Sequence, residues 1–197
     1  MRDPWLDRWL GSIGEHACGR PILELGCGSG RDTATLRRAG HAVVAIDISA
    51  TALFAARLRA PGATFHRQDI RAPFPIGEAG VGVVIASLSL HYFPWVETLE
   101  LVQRIRGVLL PHGALLCRLN STNDRHFGAI GHERLDVNYY RVQGQAKRFF
   151  DRSAIDALFA DGWTIRHIEE RTIDRYALPK SVWELMLVHD SCTRAAQ

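Results

Sequence analysis

The run Pro21-Ile22-Leu23-Glu24-Leu25-Gly26-Cys27-Gly28-Ser29-Gly30-Arg31-Asp32-Thr33 constrains this chain more than any other stretch. It reads as a short buried strand, a glycine-rich turn and the start of a helix. Glycine has no Cβ and tolerates positive φ, so such a turn brings bare backbone close to a ligand. The helix start behind it aims unpaired N–H groups at the same place, which favours an anion. Ser29 and Asp32 have the Ser-x-x-Asp spacing of a capping box. A dinucleotide site requires a third glycine on the first helical turn. That position falls on Arg31 in one register and on Thr33 in the other, so neither register fits.

Hydrophobic patterning extends this unit into a strand–helix series. A helix runs from about Gly30 to Ala39, ended by Gly40. The segment from His41 to Ser49 is a second buried strand with Asp47 near its end, and Ser49 is placed to cap the next helix. Ala63 to Arg67 forms a third strand, followed by Gln68, Asp69 and Ile70. Val81 to Ala86 is apolar throughout, as a central parallel strand should be, and exits into Ser87, Ser89, His91 and Tyr92. Ligands in open α/β sheets sit beyond the carboxyl ends of the strands, so these side chains converge on one crevice with Asp47 and Asp69. A helix from Trp95 and a strand over 114–119 follow. Asp151 caps a helix before two strands, over 163–171 and 181–189.

Two segments stand apart from the series. Within residues 1–19, Trp5, Leu6, Trp9, Leu10 and Ile13 recur at helical spacing. This helix either packs on the body or caps the ligand site. Residues 120–148 lack periodicity and read as a long loop, a length that is usually functional or flexible.

Composition narrows the class. The 197 residues, 47% hydrophobic and 23% charged, suit one α/β domain spanning 1–197 with a sizeable core. A net charge of +3 with dispersed arginines gives no reason to expect nucleic acid. No apolar run is long enough to span a membrane, and the N-terminus lacks a leader-like apolar region, so a cytoplasmic location is expected. Cys18, Cys27, Cys117 and Cys192 lack C-x-x-C spacing and read as free thiols in a reducing compartment. His126, His132 and Glu133 fit no zinc spacing, and no metal is expected.

Glu24-Leu25-Gly26-Cys27-Gly28-Ser29-Gly30 matches E-x-G-x-G-x-G, and so resembles motif I of the class I S-adenosylmethionine (SAM)-dependent methyltransferases. The resemblance runs from Ile22 to Leu119 by motif and beyond that by element order. The run Ser87 to Phe93 resembles motif IV of the small-molecule enzymes. It does not resemble the N/D-P-P-Y of enzymes acting on nucleic-acid or glutamine amino groups. Two departures are Gly82, where the family usually has aspartate, and His112 in a turn resembling L-K-P-G-G.

The resemblance implies a Rossmann-like α/β fold with a seven-stranded, mostly parallel sheet, one antiparallel strand and helices on both faces. It implies SAM as cofactor and S-adenosylhomocysteine (SAH) as product. The turn residues Gly26, Cys27, Gly28 and Gly30 would wrap the methionine part, with Glu24 near its ammonium. Arg31 would face the SAM carboxylate or an anionic substrate, or stay solvated. Asp47, with Ile48, would hold the ribose; Gln68, Asp69 and Ile70 would hold the adenine; Ser87 would lie beside them. His91 would be a general base or a pocket wall, and Tyr92 would orient the acceptor. Residues 1–19 and 120–148 would select the substrate. The expected acceptor is a small molecule, in a branch similar to tellurite-resistance and thiopurine-type methyltransferases. The alternatives are a methyltransferase acting on RNA or protein, and a noncatalytic SAM-binding protein.

Overall fold

A computed structural model describes residues 4–174 and 177–190. A 3-10 turn, Asp7–Trp9, leads into α1 (Leu10–Ala17). Then come β1 (Ile22–Leu25), α2 (Arg31–Arg38), β2 (Val43–Asp47), α3 (Ala50–Arg59), β3 (Thr64–Arg67) and β4 (Val81–Ser87). A second 3-10 turn, Leu90–Tyr92, precedes α4 (Trp95–Val108) and β5 (Leu109–Asn120). The remainder is β6 (Glu133–Asp136), β7 (Tyr139–Val142), β8 (Gln145–Arg148), α5 (Arg152–Leu158), β9 (Trp163–Ile173) and β10 (Lys180–His189).

The main sheet has seven strands in the order β3-β2-β1-β4-β5-β10-β9. Its strands run parallel except β10, which is antiparallel to both β5 and β9. The strand period of two sorts the core residues onto two faces. Leu23, Leu25, Val84, Leu115, Cys117 and Leu119 pack with Leu101, Ile105, Ile155 and Leu158 of α4 and α5. Ile22, Val83, Ile85, Ala114 and Leu116 pack with Ile13, Leu36 and Leu53 of α1, α2 and α3. The strand order reverses between β1 and β4, which places a crevice beyond their carboxyl ends.

Gly82 has a structural reason. A Cβ there would lie 2.1 Å from the carbonyl oxygen of His16 and 2.7 Å from that of Ala17. The missing side chain lets the end of α1 sit directly on β4. A branched or charged residue at this point would push the N-terminal helix off the sheet.

Three local expectations need correction. The capping box at Ser29 and Asp32 does not form: Gly30 is the N-cap, in the left-handed region, with no side-chain cap bond. Asp32 accepts the indole N–H of Trp5 at 2.9 Å instead. The turn at Leu109–Gly113 is absorbed into β5, where the pairing with β4 slips between Val81 and Val83 and His112 takes φ 63°. Residues 120–148 are not simply a loop, because β6, β7 and β8 form a small antiparallel sheet. Each of its strands has four residues, and β6 is exposed along its length, so no apolar alternation marks it.

Two caps match expectation. The Ser49 hydroxyl accepts from the Ala52 N–H, and the Asp151 carboxylate accepts from the Ala154 N–H. Cys27 and Cys117 are free and buried and Cys18 is free and exposed, whereas Cys192 and the rest of 191–197 lie outside the described residues. Among the described residues no helix is long and apolar enough to cross a membrane.

Candidate active site

The glycine turn is held from both sides. Gly26 and Cys27 both donate their N–H to the Ile46 carbonyl, at 2.9 and 3.0 Å, which fixes the turn against β2. Gly26 sits at φ 72°, and a Cβ there would approach the Ser89 Cβ to 2.7 Å. The turn and the segment after β4 therefore close on each other only because residue 26 is glycine. Gly28, at φ 53°, has nothing within 4 Å of where a Cβ would be.

Asp47 joins this turn to α3. Its Oδ2 accepts the Gly28 N–H at 2.7 Å and its Oδ1 accepts the Ser49 N–H at 2.8 Å. Each oxygen keeps a second lone pair for an incoming hydroxyl. Backbone hydrogen bonds thus aim the carboxylate before any ligand arrives.

A cavity of about 750 Å³ opens here. Gly26, Gly28, Asp47, Ile48, Gln68, Asp69 and Ile70 line it from the β1, β2 and β3 side. Leu88, Ser89 and Tyr92 line it from the segment after β4. Its remaining wall is Arg71, Phe93, Pro94, Glu97, Tyr139, Gln145 and Ala146. Asp69 is clamped by Arg71, whose Nε reaches both carboxylate oxygens at 3.0 and 3.1 Å and whose terminal nitrogen reaches one at 2.6 Å. These bonds hold the Asp69 carboxyl below the usual range. Arg71 also approaches Glu97 at 3.8 Å. The Ser89 hydroxyl is buried and has no hydrogen-bond partner among the described residues. The Tyr139 hydroxyl donates to the Tyr92 carbonyl at 3.1 Å, pinning the small sheet to the cavity wall.

Several expected residues do not line the cavity. Glu24 is 3% exposed, and its carboxylate accepts the Thr33 hydroxyl at 2.5 Å, bracing β1 against α2. Burial and the charges of Asp32 and Asp47 push its carboxyl above the usual range. Cys27 is buried with its thiol pushed up by desolvation. Gly30 caps α2, and Arg31 is exposed at the first position of that helix. The Ser87 hydroxyl accepts from Arg118 at 3.0 Å. His91 is 4% exposed and stands behind Tyr92, their ring centroids 4.1 Å apart. Burial, then the charges of Lys180 and Lys147, hold its imidazole well below 6.5, so it is neutral at pH 7. His91, expected as a general base or a pocket wall, thus lies behind the lining residue Tyr92.

Arg71, Leu88, Glu97, Tyr139 and Gln145 escaped the sequence reading. Arg71 follows Asp69 closely enough that a carboxylate–arginine pair was a readable signal. Tyr139 and Gln145 come from the small sheet, which left no periodic trace.

The N-terminal segment reaches the same end of the sheet. Trp5 stacks on the Arg118 guanidinium at 4.6 Å while its indole N–H bonds Asp32. Arg8 donates to Glu184 at 2.5 Å and to Glu169 at 3.0 Å.

Known proteins bear on this architecture. A crystal structure of a SAM-dependent methyltransferase from Methanosarcina mazei superposes with a TM-score of 0.73 at 16% identity, covering 91% of this chain and 97% of that one. The chain has the class I SAM-dependent methyltransferase fold. Residues 22–113 match the sequence profile of a methyltransferase domain. The Burkholderia thailandensis 1,6-didemethyltoxoflavin-N1-methyltransferase, with its substrate and SAH bound, superposes with a TM-score of 0.69 at 21% identity, covering 96% of this chain and 82% of that one. An uncharacterized methyltransferase of Synechocystis is 33% identical over 95 residues, 48% of this chain and 44% of that protein. The match thus spans about half the length of the curated relatives. In this methyltransferase fold the glycine turn, Asp47 and the Asp69 segment occupy the carboxyl ends of β1, β2 and β3, where the fold has its crevice.

Proposed function

We propose that this chain transfers a methyl group from SAM to a small-molecule acceptor. The observation that carries the reading is the cavity of about 750 Å³ that joins the glycine turn and Asp47 to an aromatic wall of Tyr92, Phe93 and Tyr139. Its size is that of a pocket for small ligands, roughly 300–1,000 Å³. The residues fit the cofactor: bare glycine backbone, a pre-aimed Asp47 carboxylate and an unpartnered buried Ser89 hydroxyl face one space.

SAM, when bound, supplies a methyl group on a sulfonium that is already a good leaving group. The protein's share is positioning and exclusion of water. Asp47 accepts the ribose hydroxyls on its remaining lone pairs. Asp69, kept ionised by Arg71, accepts from the adenine amino group beside Ile70. Ser89 donates or accepts one hydrogen bond at the turn. Tyr92 orients the acceptor, and His91 backs the Tyr92 ring. Glu24 acts indirectly, by fixing the geometry of the turn. The run Ser87 to Phe93 supports the small-molecule branch, and Tyr139, Gln145 and Ala146 of the segment 120–148 wall the pocket beside the acceptor.

A thermal-shift series with SAM, SAH and NAD tests the reading. Saturation at about 100 times Kd adds about 2.7 kcal/mol, a rise on the order of 5–10 °C for a chain of this size. SAM and SAH should raise the melting temperature and NAD should not. SAH release with members of a thiol, amine and phenol panel then identifies the acceptor atom. A shift with NAD alone would overturn the proposal.

A further inference from the structure

Beyond the crevice lies a group of buried polar side chains that cofactor binding does not use. His91 follows β4, Asn120 ends β5 and Asp124 follows it, and Lys180 begins β10. Because β10 runs antiparallel to β5, its first residue lies at the same end of the sheet as the last residue of β5, with Val182 paired to Asn120. The fourth contributor is Lys147 on β8, the strand that packs against the 3-10 turn carrying His91. Four separate segments thus converge over the carboxyl ends of β4 and β5, where this fold places its reacting groups.

The convergence is incomplete in two respects. Three buried atoms have no hydrogen-bond partner among the described residues: His91 Nδ1, Asn120 Oδ1 and Asp124 Oδ1. Buried polar atoms are nearly always paired, so three together mark a place for a ligand or ordered water. The described ammonium groups also outnumber the carboxylate paired with them. Lys180 Nζ holds Asp124 Oδ2 at 2.8 Å, with 9% and 0% of the two side chains exposed. Lys147 makes no ion pair with a described carboxylate, and Lys180 and Asp124 are the charges that act on it. Burial and the Lys180 charge hold its ammonium below the usual lysine range. A neutral His91 can present Nδ1–H as a donor to an anion beside these lysines. Phe127 under the Lys180 ammonium at 5.1 Å and Tyr92 against His91 give the cluster flat apolar walls.

We propose that Lys147, Lys180 and His91 form a subsite for an anionic oxygen group, carboxylate or phosphate, on the methyl acceptor. The proposal rests on the methyl-transfer reading and names the acceptor's chemical class. Lys147 supplies an ammonium that makes no ion pair with a described carboxylate, Lys180 is held in place by Asp124, and His91 donates through Nδ1. The small sheet brings Lys147 to the site and also pins the cavity wall through Tyr139, so one insertion serves both recognition and closure.

The test is calorimetric titration of the full chain loaded with SAH, using benzoate, its neutral counterpart benzamide, and inorganic phosphate. One of the two anions should bind, and benzamide should bind at least about tenfold more weakly than benzoate if the group is a carboxylate. Tight phosphate binding with weak benzoate binding would assign a phosphorylated acceptor. Lys147→Met should lower affinity for the bound anion at least about tenfold, and Lys147→Arg should retain it, with SAH affinity unchanged in both. Lys147 is half-exposed on a hairpin, so neither variant threatens the fold. Failure of both anions to bind, equal affinity for benzoate and benzamide without phosphate binding, or an anion affinity untouched by Lys147→Met would overturn the proposal. Anion binding without SAH binding would keep the subsite and remove methyl transfer.

Discussion

The two sides of the cavity are built in opposite ways. On the side of β1 and β2, the wall is built from backbone: glycine φ angles, N–H groups and one carboxylate, Asp47, aimed by two of those N–H groups. The residues involved lie within short runs of sequence. Beyond the cavity on the side of β5 and the small sheet, the polar groups are side chains from distant segments, with Asp124 paired to Lys180 and both charges acting on Lys147. The side-chain side can change chemistry with a single substitution, because buried charge is costly unless matched.

Mutation can separate the two sides. Lys180→Met removes the ion-pair partner of the buried Asp124 carboxylate and should cost about 3 kcal/mol, or roughly 6–12 °C in melting temperature. SAH affinity should stay as it was, and a parallel loss of SAH binding by calorimetry would mean that the two sides are one cooperative unit.

His91 offers a pH-dependent contrast. Its folded-state pKa lies well below its ordinary value of 6.5, so the unfolded chain binds the proton first. The stability this contributes is present in full above about pH 6.5 and is lost as pH falls, by at most about 1.4 kcal/mol per unit. Melting curves from pH 7 to pH 5 should therefore fall more steeply for the native chain than for His91→Leu. Equal slopes would show that the imidazole is not held neutral.

On the cofactor side, Asp47→Ala should weaken SAH binding at least about tenfold, since it removes the acceptor for the ribose hydroxyls and frees the Gly28 and Ser49 N–H groups. Anion binding at the lysine cluster should survive, and calorimetry of both ligands on the same variant decides the matter. The smallest effect belongs to Tyr139→Phe, which deletes one hydrogen bond to the Tyr92 carbonyl at a cost of about 1 kcal/mol. Acceptor KM should rise with SAH affinity unchanged. A change in SAH affinity of the same size would place Tyr139 in the cofactor site.

What the sequence determined by itself was the glycine turn, the strand-end acids and the sheet that carries them. The glycine spacing, the strand-end Asp47 and Asp69, and the Ser49 and Asp151 caps are local patterns, readable because backbone geometry is dictated by near neighbours. The reversed β10 followed from element order and resemblance. Tertiary structure decided the rest. Gly82 looked like a departure until α1 was seen packed on β4. Asp32 looked like a cap until Trp5 claimed its carboxylate. His91 could have been a base or a wall by sequence, and its burial under β8 was visible only in the folded chain. The pairing of Asp124 with Lys180, 56 positions apart, left no mark in the sequence. Such contacts depend on where the chain returns to itself, and their partners are chosen by burial and charge rather than by spacing.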